Sequence, residues 1–335
     1  MITDTASADS PGVLYVKPRA LGAEADRIAE RLRQTHRVAV LENPGDIAAT
    51  ARDEWDVVAG PGSIPCDAAF FERLTRIRAV IAVGSGIDGI DRAAASERGV
   101  LIGDGTVCEN ARDMASATVL LMLALSHDLD GARQRLKAGR WHAHPEARWL
   151  GALTVGLIGF GRIGRMVARL LAPWKPRILV SAPRAPASLP AHARVVSLER
   201  LLRESDIVSI HTSLNASTRG LLGASQIATM KPSAMLINTA RGGIVDESAL
   251  CEALHAGRLR AAALDCFGQE PLQPDSPLLT TPNLILTPHS IGHTADGARA
   301  VAARFEENIL RALRGDLPCN LRNPEVLDAR EPTTS

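Results

Sequence analysis

Residues 159–164 read Gly-Phe-Gly-Arg-Ile-Gly, a G-x-G-x-x-G turn that follows the apolar run 153–160 and precedes a helical stretch from Met166 to Leu171. Few architectures send a strand into three spaced glycines and out again as a helix. The first glycine permits a tight turn, the second lets a pyrophosphate approach the backbone, and the third allows close helix–strand packing, with helix N-terminal amides facing the anion. The run therefore predicts a parallel α/β sheet that holds a dinucleotide at Gly159, Gly161 and Gly164. It lies near the middle of the chain, so a second folded body has to precede it.

That body is visible as an earlier β-α-β rhythm. Apolar runs at 12–17, 37–41, 55–60, 78–83 and 100–102 alternate with helical spacing at 22–35, 67–74 and 90–98. Residues 110–128 then read as one long, largely buried helix, apolar over more than one face, of the kind that joins domains or protomers. The rhythm restarts after it, with strands expected at 153–160, 177–181, 206–210, 234–239, 260–265 and 284–287, a second sheet of at least six strands. A last helix over 294–314 is free to return to the first domain. At 335 residues the chain is about twice the usual single-domain length of roughly 150, in keeping with two cores.

Composition removes several classes of function. Thirty-eight basic against 37 acidic side chains leave a net charge of +1, so no field of one sign favours nucleic acid or an anionic membrane. The longest apolar run, Val119 to Leu125, falls far short of the roughly 20 residues needed to span hydrocarbon. The first ten residues lack a basic flank before an apolar stretch, so no secretory leader is read and a cytoplasmic location is expected. Five cysteines without a CxxC pair argue against both a disulfide framework and a zinc site. No metal is expected: His293 follows His289 by four residues, but Pro288 and Gly292 oppose a helical metal pair.

Coenzyme choice is written at the end of the second strand of the nucleotide fold. The NAD version carries an acidic residue there, about 20 positions past the glycines, to bind the ribose hydroxyls. This chain has Val180-Ser181-Ala182-Pro183-Arg184 and no carboxylate. A 2′-phosphate is not repelled, and Ser181 with Arg184 offers it a partner. NADP is slightly favoured over NAD, although a site accepting both fits the same residues.

Three ionisable residues stand just beyond later strands, where open α/β sheets bind ligands: Arg241 in Asn238-Thr239-Ala240-Arg241-Gly242-Gly243, Glu270 in Asp265-Cys266-Phe267-Gly268-Gln269-Glu270-Pro271, and His289 in Thr287-Pro288-His289-Ser290. The order Arg, Glu, His behind a mid-chain glycine turn resembles the D-isomer-specific 2-hydroxyacid dehydrogenases, the family of phosphoglycerate dehydrogenase and glyoxylate/hydroxypyruvate reductase, over residues 55–320.

The resemblance implies two Rossmann-like domains with parallel sheets, the coenzyme domain inserted within a discontinuous flavodoxin-like substrate domain. The expected boundaries are 11–104 for the first part of the substrate domain, 105–291 for the NAD(P)-binding domain and 292–325 for the returning helix. It implies hydride transfer between a nicotinamide coenzyme and a small 2-oxo or D-2-hydroxy acid. His289 becomes the acid/base, Glu270 the carboxylate that holds its imidazole, and Arg241 the planar fork that meets the carboxylate and carbonyl oxygens of the substrate. It places Gly84, Ser85 and Gly86 at the substrate carboxylate, and Arg162, Ile163, Thr212, Thr239 and Asp265 at the coenzyme, Asp265 on the nicotinamide side. Relatives pair through the region of the long helix, which implies a homodimer.

The chain departs from the family pattern at three places beside the expected cleft. Met114-Ala115-Ser116 stands where Val-Ala-Glu is usual, Asp104 begins a segment usually opened by asparagine, and Ser213 replaces a usual proline. Two other activities share these motifs, a phosphite dehydrogenase-like oxidation and a nucleotide-sensing corepressor-like binding function.

Overall fold

The computed structural model describes residues 10–50, 53–141, 147–184 and 188–328. The chain divides into two compact units, Met1–Asn110 with Thr294–Ser335, and Ala111–His293.

In the first unit five parallel strands, β1 (Gly12–Val16), β2 (Arg37–Leu41), β3 (Val57–Gly60), β4 (Ala79–Ala82) and β5 (Leu101–Asp104), form a sheet in the order β2-β1-β3-β4-β5. Side chains alternate across a strand, so each of these apolar runs feeds two cores. Leu14, Val58, Val80 and Ile102 pack on one face. Val13, Val57, Ile81 and Leu101 pack on the other, against Phe305 and Ile309 of the helix Ala295–Arg314. That helix starts where Thr294 Oγ1 accepts the Gly297 amide at 2.9 Å and ends at Gly315, whose positive φ of 86° suits glycine. The chain then runs antiparallel to β5. Leu321 pairs with Gly103, Arg322 N donates to Ile102 O at 2.8 Å, and the Asn323 side chain accepts from Ile102 N and donates to Val100 O.

The second unit holds seven parallel strands: β6 (Thr154–Ile158), β7 (Arg177–Ser181), β8 (Ala193–Val195), β9 (Ile207–Ile210), β10 (Met235–Asn238), β11 (Ala261–Leu264) and β12 (Leu284–Leu286). Their order is β12-β11-β10-β9-β6-β7-β8. The chain winds outward from β6 through β8, returns to the far side of β6 for β9, and winds outward again. The strand order thus reverses between β6 and β9, the switch point at which doubly wound sheets open a crevice beyond their carboxyl ends. The α/β class with two parallel sheets expected from the sequence is the one observed. Strand β8 escaped the periodicity because it is three residues long, and Arg194 and Val195 are exposed.

The long helix spans Cys108–Ser126, not 110–128. Asp128, at a φ of 49°, turns the chain into a separate helix, Leu129–Lys137. Ala115, Val119, Met122 and Leu125 of the long helix pack with Leu150, Val155 and Leu157 of the second core. Among the described residues no helix is long and apolar enough to cross a membrane.

Candidate active site

The three glycines of the turn are required for three different reasons. Gly159 has a φ of 94°, and a Cβ there would lie 2.5 Å from the His211 carbonyl oxygen. A Cβ on Gly164 would lie 2.7 Å from Gly159 O, so this glycine sets how closely the helix Arg162–Leu171 approaches the strand. Gly161 has an ordinary φ of −76°, and among the described residues no atom beyond its chain neighbours lies within 4 Å of its Cβ position. Packing explains the first and third glycines. The second keeps open a space that the chain leaves free, against the unpaired amides of a helix N-terminus, as a pyrophosphate requires. Arg162 and Ile163 open that helix.

Strand β7 lies beside the turn, because Gly159 N donates to Ser181 O at 2.7 Å. The residues that follow Ser181, Ala182-Pro183-Arg184, include no acid, and Arg184 is exposed. On the other side of β6, at the end of β9, His211 Nε2 is 2.9 Å from Ser209 Oγ, and burial pushes its imidazole down to about 4. Thr212 follows it. These residues fit a nicotinamide dinucleotide without an acidic grip on its ribose.

Arg241, Glu270 and His289 come from the carboxyl ends of β10, β11 and β12, successive neighbours in the sheet. Buried Asn238 shapes the first loop: its Oδ1 accepts the Ala240 amide at 3.1 Å and its Nδ2 donates to Arg241 O at 2.8 Å. Arg241 Nη1 donates to Ala240 O at 2.8 Å. The next residue, Gly242, lies flush on the following loop, since a Cβ there would sit 1.9 Å from the Phe267 carbonyl carbon. The arginine and glutamate loops therefore share an interface that only glycine permits.

Glu270 faces His289 with both carboxylate oxygens, Oε1 at 2.9 Å and Oε2 at 2.8 Å from Nδ1. Oε1 also accepts the Phe267 amide at 2.9 Å. A carboxylate can only accept, so Nδ1 carries a proton and the exchangeable ring position is Nε2. His289 itself has a φ of 52°, in the sparsely populated left-handed region for a side-chain-bearing residue.

Asp265 holds that strained loop in place. It is buried, and its Oδ1 accepts Thr287 Oγ1 at 2.6 Å, Ser290 N at 3.0 Å and Ile291 N at 3.2 Å. The sequence pointed to Asp265 as a coenzyme contact, whereas its role as tether of the histidine loop is legible only in three dimensions. Glu247 is a second unforeseen contributor. It accepts the Gly268 amide at 2.6 Å, and its carboxyl is raised above the ordinary glutamate range by burial, with the nearby Glu270 adding to the effect. Thr239 Oγ1 lies 3.2 Å from Thr118 Oγ1 of the long helix. Met114 of that helix packs on Gly292, next to the histidine loop, and Ser116 is exposed. A cavity of about 610 Å³ opens beside the histidine–glutamate pair, lined on its apolar side by Phe267, Leu272, Leu279, Leu286 and Pro288.

In the first unit, Gly84, Ser85 and Gly86 follow the carboxyl end of β4. Among the described residues their three amides have no hydrogen-bond acceptor, and the space around the Cβ position of Gly84 is open. Three successive amides without an internal acceptor leave donors available to an anion.

Comparison with known proteins shows the family. Residues 119–290 match the family described as D-isomer specific 2-hydroxyacid dehydrogenase, NAD binding domain. A glyoxylate/hydroxypyruvate reductase B of Pectobacterium carotovorum subsp. carotovorum is 36% identical over 310 residues, covering 90% of this chain and 96% of its own. The chain belongs to the D-isomer-specific 2-hydroxyacid dehydrogenase family. A glyoxylate reductase of Korarchaeum cryptofilum is 37% identical over 278 residues, covering 80% of this chain and 82% of its own. Among solved structures, an NADPH-dependent glyoxylate/hydroxypyruvate reductase of Sinorhizobium meliloti, in complex with NADP and malonate, superposes with a TM-score of 0.83 at 26% identity, covering 95% of this chain and 98% of its own. This D-2-hydroxyacid dehydrogenase is an oxidoreductase that uses a nicotinamide coenzyme.

Proposed function

We propose that the enzyme reduces small 2-oxo acids such as glyoxylate and hydroxypyruvate to their D-2-hydroxy acids, with His289, Glu270 and Arg241 at the reacting centre. The observation that carries this reading is the two-oxygen grip of Glu270 on His289 Nδ1, which commits Nε2 to proton exchange. A bound reduced nicotinamide supplies the hydride to the carbonyl carbon. The imidazolium Nε2–H gives its proton to the carbonyl oxygen, and the Glu270 carboxylate stabilises the cation before transfer and holds the neutral ring in orientation afterwards. In the oxidative direction the same Nε2 accepts the hydroxyl proton. The Arg241 guanidinium holds carboxylate and carbonyl oxygens together in one plane, a geometry an ammonium cannot reproduce. The amides of Gly84, Ser85 and Gly86 are assigned to the substrate carboxylate, in keeping with their lack of internal acceptors among the described residues.

The coenzyme set comprises Gly159, Gly161, Arg162, Ile163, Gly164, Ser181, Arg184, Thr212, Thr239 and Asp265. With no acid after β7 and a cation at Arg184, NADP is the preferred form. Exposed Leu120, Leu129, Leu136, Trp141 and Trp149, all within 30 residues of one another, support a homodimer formed through this region. The enzyme is assigned to the cytoplasm.

The test is direct. NADPH or NADH is mixed with the protein and a panel of 2-oxo acids, and absorbance near 340 nm is followed. Decay with glyoxylate or hydroxypyruvate, lost by at least about 100-fold in His289→Ala, is the expected result. No decay with any 2-oxo acid, or an alanine variant that turns over normally, refutes the assignment.

A further inference from the structure

The departure from the family pattern at Asp104 is answered by a residue more than 200 positions away. Asp104 ends β5 and is buried. Its Oδ1 accepts the Thr106 amide at 2.9 Å and Asn320 Nδ2 at 3.2 Å, and its Oδ2 forms an ion pair with Arg322 Nη1. The same Nη1 donates to the Ser85 carbonyl oxygen at 3.2 Å. An arginine Nη1 carries two hydrogens, so one nitrogen serves both partners: the aspartate fixes it, and the fixed nitrogen holds the loop. The main chain around Arg322 is pinned to β5 by Arg322 N to Ile102 O and by Asn323, so the guanidinium is anchored at both ends.

We propose that Arg322, set by Asp104, is a positioning residue that presents the Gly84–Ser85–Gly86 amides to the substrate carboxylate. This rests on the assignment of that loop to the carboxylate. The peptide unit joining Ser85 to Gly86 is planar and trans, so its C=O and N–H point in opposite directions. Holding Ser85 O against Arg322 turns the Gly86 N–H away from Arg322. The loop is clamped from a second direction, because a Cβ on Gly62 would lie 1.6 Å from Gly86 O, and Gly89 N donates to Gly62 O at 2.9 Å. Between the two clamps the Ser85–Gly86 peptide cannot flip without breaking a charge-assisted bond, and a preset donor binds an anion without first being ordered.

The experiment compares Arg322→Lys with the double variant Asp104→Asn/Arg322→Leu, which removes both charges and so leaves no unpaired buried carboxylate. Both are measured with glyoxylate at saturating NADPH, with NADPH at saturating glyoxylate, with oxamate as a non-reacting carboxylate inhibitor, and by thermal unfolding. For the double variant we expect KM for glyoxylate and Ki for oxamate to rise together by about tenfold, the loss of roughly one hydrogen bond to a charged group. Its kcat and its KM for NADPH stay within about twofold of the parent. Arg322→Lys, which keeps the charge but not the fork, should fall between parent and double variant. Should the double variant fail to fold, a rise in KM and Ki in the lysine variant with KM for NADPH unchanged supports the proposal equally. A glyoxylate KM within twofold of the parent in the folded variants, or a rise shared equally by NADPH, overturns the proposal. A parent enzyme that reduces no 2-oxo acid refutes the functional reading instead, so the two failures are distinguishable.

Discussion

Gly161→Ala and Gly164→Ala add the same methyl group three residues apart, yet the structure assigns them opposite consequences. At Gly161 the backbone is in a region any residue adopts and the new Cβ meets nothing within 4 Å, so stability should change by no more than about 0.5 kcal/mol. The methyl instead occupies the space that the proposed coenzyme site gives to the pyrophosphate. Losing one hydrogen bond to a charged group there costs about 1.5–3 kcal/mol, or roughly 10- to 150-fold in coenzyme affinity. At Gly164 the Cβ would sit 2.7 Å from Gly159 O, a backbone atom that cannot swing aside. Overpacking of this kind costs about 1–3 kcal/mol, which for a unit of this size lowers Tm by roughly 2–4 °C per kcal/mol. NADPH affinity read by fluorescence titration, and Tm by scanning fluorimetry, separate the two effects. Gly161→Ala should lose binding and keep its Tm, whereas Gly164→Ala should lose Tm first. A Gly161→Ala protein that binds NADPH as the parent does would show that the open space is not the phosphate cradle.

Other residues give equally direct outcomes. Arg184→Ala should raise KM for NADPH by about tenfold while leaving NADH little changed, as expected for loss of one ion pair to a 2′-phosphate; equal effects on both coenzymes would remove the basis for NADP preference. Arg241→Lys should weaken 2-oxo acid reduction by about 10-fold or more in kcat/KM with coenzyme binding intact, and normal turnover would sink the fork argument. Acid stability should report His211. Its folded-state value of about 4 lies below the unfolded 6.5, so the unfolded chain takes up a proton that the native chain refuses, and stability falls as pH drops from 6.5 towards 4. At about 1.36 kcal/mol per pH unit, the loss by pH 4.5 is about 2–3 kcal/mol. Urea unfolding at pH 7 and 4.5 should show this loss in the parent and a smaller one in His211→Gln; identical pH slopes would contradict it.

The fold was legible where strands are buried on both faces, because β1, β3 and β4 read as unbroken apolar runs, and β6 and β9 as runs carrying a single hydroxyl residue, that no amphipathic helix imitates. It was illegible where stability comes from elsewhere. Strand β8 has no apolar period to detect, being held by main-chain pairing to β7. The stop at Ser126 follows from a left-handed Asp128, a backbone choice that aspartate tolerates but does not announce. Residues 320–323 carry no strand signature either, since their pairing with β5 is made largely by asparagine side chains.

The residues expected at the site divide along the same line. Arg241, Glu270 and His289 are candidates that a sequence can offer because each stands past the end of a strand, and strand ends are marked by the apolar run that precedes them. Asn238, Glu247 and the tethering function of Asp265 could not, because they act largely through main-chain groups of their own or a neighbouring loop, and a main-chain group leaves no letter in a sequence. The candidate site thus has two layers with different legibility: side chains proposed to meet the ligand, and carboxylates and amides that hold loops at fixed spacing. His289 depends on the second layer most directly. Its left-handed backbone is disfavoured for any residue with a Cβ, and three bonds to one buried oxygen of Asp265 hold the segment on either side of it. Asp265→Asn can still accept through its single carbonyl oxygen, but it loses the charge that strengthens all three bonds. If the tether outweighs the proposed coenzyme contact, its effect should appear as a fall in kcat larger than any rise in KM for NADPH, the signature of a proton donor that is present but misplaced, whereas a residue serving chiefly as a coenzyme contact would move the coenzyme KM first.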